Sequence, residues 1–201
     1  MDSVLITEIR PQKGQLCGLY SQGELICSLD SLLVAEKGLK PGEFAVATLR
    51  ELLRQSQLRR AKTKALRLLG GRDYSARALA DRLRKDFDER TVNDVVASLA
   101  EIGAVDDARY AGLLVDHYVR GRRFGRRRVA RELAAKGIDP ETAREALDAC
   151  DADERDAIRE WLEGSLGRDL ADQKGVRRAV ATLQRYGYCL SDILHVLREL
   201  E

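Results

Sequence analysis

An apolar pattern that recurs about every 50 residues is the sequence feature that most constrains this fold. One predicted helix of each unit carries an apolar pair, and the three pairs are Leu79 and Leu83, Val129 and Leu133, and Ala179 and Leu183. The helix that follows carries apolar residues at i, i+3, i+4 and i+7, which form one face of an α-helix. Its three sets are Val92, Val95, Val96 and Leu99; Ala143, Ala146, Leu147 and Cys150; and Ile193, Val196, Leu197 and Leu200.

Each of these helix pairs is preceded by a further predicted helix, at about 50–69, 106–120 and 153–166. The pattern therefore predicts a mainly α protein with three tandem three-helix repeats, at 50–105, 106–151 and 152–201. Because each unit leaves an apolar face uncovered, neighbouring units should stack into an elongated, curved body. One apolar residue follows the second helix of each unit, and the three are Phe87, Ile138 and Tyr188. In the second and third repeats a glycine, Gly137 or Gly187, precedes this residue, and the first repeat lacks that glycine.

Residues 1–49 differ from the rest and predict a small β-rich extension. β-Prone runs at 4–7, 16–20 and 25–29 are separated by turn residues, which indicates a three-stranded antiparallel meander. Asp30 or Ser31 should cap a short helix that ends at Glu36. A sheet this small must cover its apolar face, and the helical pattern that begins at Glu43 supplies the covering helix.

The charge of the chain is distributed unevenly, although its formal net value is only +2. Residues 50–72 carry eight Lys and Arg against one acid, and residues 139–156 carry eight acids against two arginines. Charged residues make up 34% of the chain and aromatic residues 5%, a balance typical of helical proteins with long solvated faces. The acidic segment could face a basic segment of another copy or form a solvated helix face.

The termini and cysteines indicate a cytoplasmic protein without a metal centre. The N-terminus has no secretory signal pattern, and no apolar run approaches the roughly 20 residues that span a bilayer. The four cysteines lie far apart with no C-x-x-C pair, so neither a zinc site nor a disulfide is expected.

No catalytic constellation is found, and the sequence predicts a protein that is not an enzyme and has no cofactor. The two histidines lie in predicted helices without a second metal ligand nearby, and no phosphate-binding glycine loop occurs. Asp106 and Asp107 resemble a catalytic carboxylate pair. Acids in the first turn of a helix are the better interpretation, because they favour its dipole and cap its amides.

Seven arginines within twelve residues, with no acid among them, indicate an anionic partner. They are Arg120, Arg122, Arg123, Arg126, Arg127, Arg128 and Arg131. A solvated helix face with arginine–acid pairs would explain a scattered set, but these charges repel one another in the free protein. Guanidinium groups bind phosphate or carboxylate with two hydrogen bonds. A nucleic acid backbone and an acidic protein groove therefore both stay open.

Two strings resemble a known family. DDARYA at 106–111 and FGRRRVARELAAKGI at 124–138 are similar to the middle of the RecX family, regulatory proteins that modulate the RecA recombinase. The first repeat departs from the family pattern with Asp86, where a glycine is usual. Residues that we expect to be structural in this motif are Asp106, Asp107, Arg109, Tyr110, Gly125, Leu133 and Gly137.

The resemblance implies tandem three-helix repeats and a role in DNA repair, recombination and the SOS response. We expect the protein to be a monomer. Such proteins bind RecA, lodge in the groove of the RecA–DNA filament, and suppress its ATPase and strand-exchange activities. Some members also bind single- or double-stranded DNA. The alternatives are a general nucleic-acid-binding repeat protein that acts without RecA, and a scaffold for another partner.

Overall fold

The computed structural model describes residues 2–167, 170 and 172–200 of the chain. The fold divides into two compact units. The first comprises Met1–Asp73 and Leu79–Val105, and the second comprises Tyr74–Ala78 and Asp106–Glu201. The predicted mainly α architecture with three-helix repeats and a small antiparallel β element is confirmed, whereas the repeat boundaries and the elongated shape stay predictions.

The first unit begins with five short strands in two antiparallel sheets. Strands β2, β3 and β4 form a meander in that order, and β1 pairs with β5. Their bounds are Ser3–Ile6 for β1, Glu8–Gln12 for β2, Leu16–Ser21 for β3, Glu24–Asp30 for β4 and Gly42–Ala45 for β5.

The predicted meander is therefore wrong in its first strand. The β1 segment, which was predicted to open the meander, instead aligns Ser3 with Ala45 and Ile6 with Gly42. The prediction that helix begins at Glu43 is wrong for the same reason, because that residue lies in β5. A partner about 40 residues away leaves no local pattern, so the alternation of apolar residues could not reveal this pairing.

Helix α1, Ser31–Glu36, confirms the predicted cap, because the Asp30 carboxylate accepts hydrogen bonds from the amides of Leu32 and Leu33 at 3.1 Å. Helix α2, Val46–Leu69, then covers the β element as predicted. Its side of the shared core is Leu49 and Leu52, and the strands contribute Ile6, Leu19 and Leu29.

The remaining helices follow the repeat pattern. The first repeat adds α3, Ala76–Leu83, and α4, Glu89–Glu101. The second has α5, Asp107–Asp116, which continues into a π-helical turn at His117–Gly121, and then α6, Arg126–Ala135, and α7, Pro140–Asp148. The third has α8, Glu154–Glu163, α9, Gln173–Tyr186, and α10, Leu190–Glu199.

The recurring apolar residues form a separate core in each of the last two repeats. Val129 and Leu133 are fully buried with Ala111 and Val115 in one cluster. Ala179, Leu183, Ile158 and Ile193 are fully buried in the other, whose remaining buried residues also belong to the third repeat. The apolar pattern therefore recurs every 50 residues because equivalent helix positions are buried in the core of each of these repeats.

The second helix of a repeat ends differently in the first repeat. Gly137 and Gly187 take positive φ values of 83° and 100°, and the following amides of Ile138 and Tyr188 reach back to carbonyls five residues earlier. This left-handed ending turns the next residue towards the core. The Phe87 amide instead donates to the Leu83 carbonyl at 3.1 Å, four residues earlier.

Candidate partner-binding surface

The arginine run straddles the junction between α5 and α6. Arg120 lies in the π-helical turn, and Arg122 and Arg123 lie in the connection that follows it. Arg123 has a φ of 53°, which non-glycine residues seldom adopt. The other four arginines belong to α6, whose first three residues are all arginine.

Four of the seven arginines are paired with acids from outside the run. Arg120 bonds to Asp116 and Asp151, at 3.1 and 2.7 Å. Arg126 pairs with Asp148 and also donates to the Leu147 carbonyl at 2.8 Å. Part of the acidic segment 139–156 therefore neutralises arginines of the same chain.

Arg123 is the third of these four arginines, because its guanidinium lies 3.4 Å from the Glu160 carboxylate. These ion pairs are all at least partly exposed, so each contributes little to stability. They nevertheless weaken the expectation that the whole run needs an external anion.

Arg128 packs against aromatic rings. Its guanidinium carbon lies 3.7 Å from the centre of the Phe124 ring and 5.6 Å from that of Tyr186, and Glu132 lies 3.6 Å away. The favourable interaction of a cation with an aromatic face explains this position. Arg128 therefore stabilises the contact between α6 and α9.

Arg122, Arg127 and Arg131 have no ion-pair partner within the described part of the chain. Arg127 has only a 3.4 Å contact from its Nη2 to Cys189 Sγ. Arg131 lines an open groove of about 910 Å³ together with Arg178 and Arg185 of α9. These three arginines of the run remain the ones best placed to meet an anionic partner.

The arginines of α9 were missed by the sequence analysis because they are not part of a dense run. The repeat period could have found some of them, since Arg178 lies 50 residues after Arg128. The same period relates three exposed arginines, which are Arg77, Arg127 and Arg177.

The two adjacent aspartates cap two different helices. Asp106 accepts a hydrogen bond from the Arg109 amide at 2.9 Å and caps α5, as the sequence predicts. Asp107 accepts one from the Ala76 amide at 2.8 Å, at the start of α3. Burial raises the pKa of the Asp107 carboxyl, and the hydrogen bond from Ala76 opposes this rise. Asp107 therefore has a structural position that explains the pair without catalysis.

Glu154 makes the equivalent contact in the next repeat. Its carboxylate accepts a 2.7 Å hydrogen bond from the Arg126 amide, at the start of α6. Burial raises the pKa of Glu154, and the hydrogen bond and charge of Arg126 partly offset this effect. Sequence analysis missed this residue, although Asp107 and Glu154 both stand in the first helical turn of their repeats.

Glycines allow the backbone of α6 to touch the end of α9. The Gly125 amide donates to the Tyr186 carbonyl at 2.9 Å. A Cβ atom on Gly125 would lie 2.6 Å from the Gly187 carbonyl carbon, which is closer than real side chains come. In the equivalent contact one repeat earlier, Gly137 takes the place of Gly187 and Ser75 that of Gly125. The Ser75 hydroxyl donates to the Lys136 carbonyl at 2.7 Å.

The remaining motif residues belong to the core of the second repeat. Leu133 is fully buried, and Tyr110 packs against the same cluster. Arg109 lies beside Tyr110 in the exposed part of α5 and makes an interaction of its own.

Two further properties of the described residues bear on function. They include no group of three or more His, Cys, Asp or Glu side chains that could hold a metal ion. None of their helices is both long enough and apolar enough to cross a membrane.

Comparison with known proteins identifies the family. A family model for the first three-helix domain of RecX matches residues 61–99, and one for the second three-helix domain matches residues 106–147. The regulatory protein RecX of Streptomyces lividans is 32% identical over 145 residues, which cover 69% of this chain and 76% of that protein. The chain belongs to the RecX family. RecX of Trichlorobacter lovleyi is 35% identical over 141 residues, 67% of this chain and 91% of the relative.

A solved structure supports the fold of this RecX family member. The crystal structure of a regulatory protein RecX superimposes with a TM-score of 0.70 and covers 96% of this chain and 98% of that one. Its sequence identity is only 17%, so this similarity concerns the fold alone. The relatives are regulatory proteins, and the chain shares their family and their helical repeats.

Proposed function

We propose that this RecX family protein binds a RecA recombinase and the RecA–DNA filament, and inhibits the filament's ATPase and strand-exchange activities. Membership of a family of regulatory proteins is the observation that carries this proposal. The protein would act as a cytoplasmic monomer that modulates recombination and DNA repair, with no cofactor and no chemical step of its own.

The surface that would meet the filament is centred on Arg122, Arg127 and Arg131. These side chains lack acidic partners among the described residues, whereas the other arginines of the run are occupied within the chain. Guanidinium groups would donate paired hydrogen bonds to carboxylates of RecA or to phosphates of its DNA. A filament presents both kinds of anion, so one surface can serve either contact.

The test is the single-stranded-DNA-dependent ATPase of the cognate RecA at fixed salt, with this protein titrated in. Inhibition far below one molecule per RecA would indicate that filament ends are capped or that extension is blocked. Inhibition only near equal amounts would indicate that the groove is coated. Unchanged ATPase, measured where the protein still binds DNA, would reject the proposal.

Charge reversal tests whether these three arginines form the surface that contacts the filament. The triple variant Arg122→Glu, Arg127→Glu and Arg131→Glu should stay folded, because none of these side chains has an acidic partner to lose, and it should no longer inhibit. The control reverses three exposed cations of the first repeat by Arg82→Glu, Lys85→Glu and Arg90→Glu. Equal inhibition by the wild type and the first variant would remove these arginines from the interface.

A second candidate function is nucleic acid binding without RecA. The groove that Arg131 shares with two arginines of α9 favours it. Release of counterions would then weaken DNA binding by a thousandfold or more between ~50 and ~200 mM salt if about six phosphates are contacted. DNA affinity that hardly changes with salt would count against this candidate.

A further inference from the structure

The basic segment 50–72 borders a groove that the proposed function does not use. The groove lies within the first unit and has a volume of about 640 Å³. Its lining includes Gln15 and Leu32, from the β2–β3 turn and α1, and Arg60, Lys64 and Arg67 of α2. Phe87 also lines it.

Phe87 occupies this groove because the first repeat ends its second helix differently. Its counterparts Ile138 and Tyr188 are only 4% and 2% exposed. Phe87 is half-buried, and it follows Asp86 rather than a glycine in the left-handed conformation. The residue that closes the core in the other repeats is here partly available to a ligand.

One cation of α2 lies close to this ring, and two others line the same groove. The Arg60 guanidinium carbon lies 5.8 Å from the centre of the Phe87 ring. Lys64 pairs with Asp86, and Arg67 is exposed with no acidic partner in the described ranges. From Arg60 to Arg67 the helix rises roughly 10 Å, which is long enough for a short run of nucleotides rather than one phosphate.

We propose that this groove binds single-stranded nucleic acid. One base would stack in the space beside Phe87 and Arg60, and the neighbouring phosphates would lie against Lys64 and Arg67. An aromatic ring beside a row of cations is how proteins hold single strands without reading their sequence. An acidic peptide would satisfy the cations but would leave the ring without a partner, so the nucleic acid is favoured.

The site is independent of the proposed action on RecA. Both family models begin after Arg60, at residues 61 and 106, so the N-terminal wall of the groove lies outside the matched segments. The surface proposed for RecA lies on α6 and the turn before it. Each proposal can therefore fail while the other survives.

The first test compares two charge reversals on α2 in the full-length protein. Arg67→Glu changes a groove residue, and Lys62→Glu changes an exposed residue of the same helix outside the groove. Binding of a fluorescent oligothymidylate would be followed by anisotropy at low salt. Arg67→Glu should weaken binding roughly tenfold or more, as expected for loss of a charged hydrogen bond, and Lys62→Glu much less.

The salt dependence of oligothymidylate affinity tests the Arg67–phosphate contact independently. Arg67→Ala should lower the slope of log affinity against log salt by about 0.7, the contribution of one phosphate in a single strand. Equal losses from the two reversals, an unchanged slope, or no binding of oligothymidylate by the wild type would each overturn the proposal.

The second test addresses stacking. Phe87→Ala should weaken oligothymidylate binding by about tenfold, while Phe87→Tyr, which keeps the ring and controls for folding, should bind like the wild type. An oligonucleotide carrying 5-iododeoxyuridine should cross-link to the peptide that contains Phe87. Cross-links confined to 120–131, or binding of polyglutamate in place of the oligonucleotide, would refute the site. RecA inhibition by Arg67→Glu should equal that of the wild type.

Discussion

Gly125→Ala should weaken the contact between the second and third repeats through steric overlap alone. Gly125 has a φ of −73°, which any residue adopts, so its substitution carries no backbone penalty of its own. The added Cβ would lie 2.6 Å from Gly187 C and 2.7 Å from Tyr188 N. Because both neighbours are backbone atoms, the helix must move to accommodate the methyl group.

The magnitude follows from two effects. Overpacking of a close contact costs about 1–3 kcal/mol. The shift also stretches the 2.9 Å hydrogen bond from the Gly125 amide to the Tyr186 carbonyl, worth about 1 kcal/mol. We therefore expect Gly125→Ala to lower the free energy of unfolding by roughly 2–4 kcal/mol.

The matched control is Gly112→Ala. Gly112 lies exposed within α5, and apart from its chain neighbours and the adjacent backbone of its own helix no heavy atom comes within 4 Å of the position that its Cβ would take. Alanine is the better helix former there, so this change should stabilise the fold by about 0.5–1 kcal/mol.

Fluorescence of Trp161 during urea denaturation measures both variants. It is the chain's single tryptophan, and its ring centre lies 4.8 Å from that of Tyr186, close to the altered contact. A Gly125→Ala protein as stable as the wild type, or one matched by Gly112→Ala, would refute the steric reasoning.

Two further predictions concern carboxylates that cap helices. Asp139→Ala removes the cap of α7 and should lower the stability of the fold near neutral pH. Hydrogen bonds from Thr142 lower the pKa of Asp139, so this stability is present above the unfolded-state pKa and is lost as pH falls; the loss should shrink in acid, as denaturation at two pH values would reveal. Burial raises the pKa of Glu154, so its contribution is greatest below the unfolded-state pKa and declines as pH rises through the folded-state value. Glu154→Gln, which can still accept from Arg126, should therefore flatten this decline, and an unchanged pH profile would contradict the assignment.

The sequence predicts the repeats well because the apolar face that each helix turns to the core is a local pattern. Val129 and Leu133 lie one turn apart on the same helix face, and their periodicity is visible without knowledge of any partner. The Asp30 cap is predicted for the same reason, since it bonds to amides two and three residues away.

Contacts between distant residues could not be predicted in this way. The pairing of β1 with β5 joins segments about 40 residues apart. The arginine run looked uncompensated because Asp148 and Glu160, which pair with two of its members, lie beyond it in the sequence. A cluster of like charges in sequence is therefore weak evidence for a partner until its neighbours in space are known.

The repeat period and these distant contacts together explain why adjacent repeats are joined by different residues at related positions. Ser75 holds its contact through a side chain, whereas Gly125 holds its contact through the backbone amide. In both cases a carboxylate from the first helix of the next repeat, Asp107 or Glu154, accepts from the next amide along the chain. Both contacts therefore share one geometry. The N-terminus of one helix lies against the C-terminus of another, and a carboxylate accepts a hydrogen bond from its first amide. In the second of these contacts, the glycine pair brings α6 directly against α9, which fixes Arg131 beside the arginines of α9 and creates the basic groove.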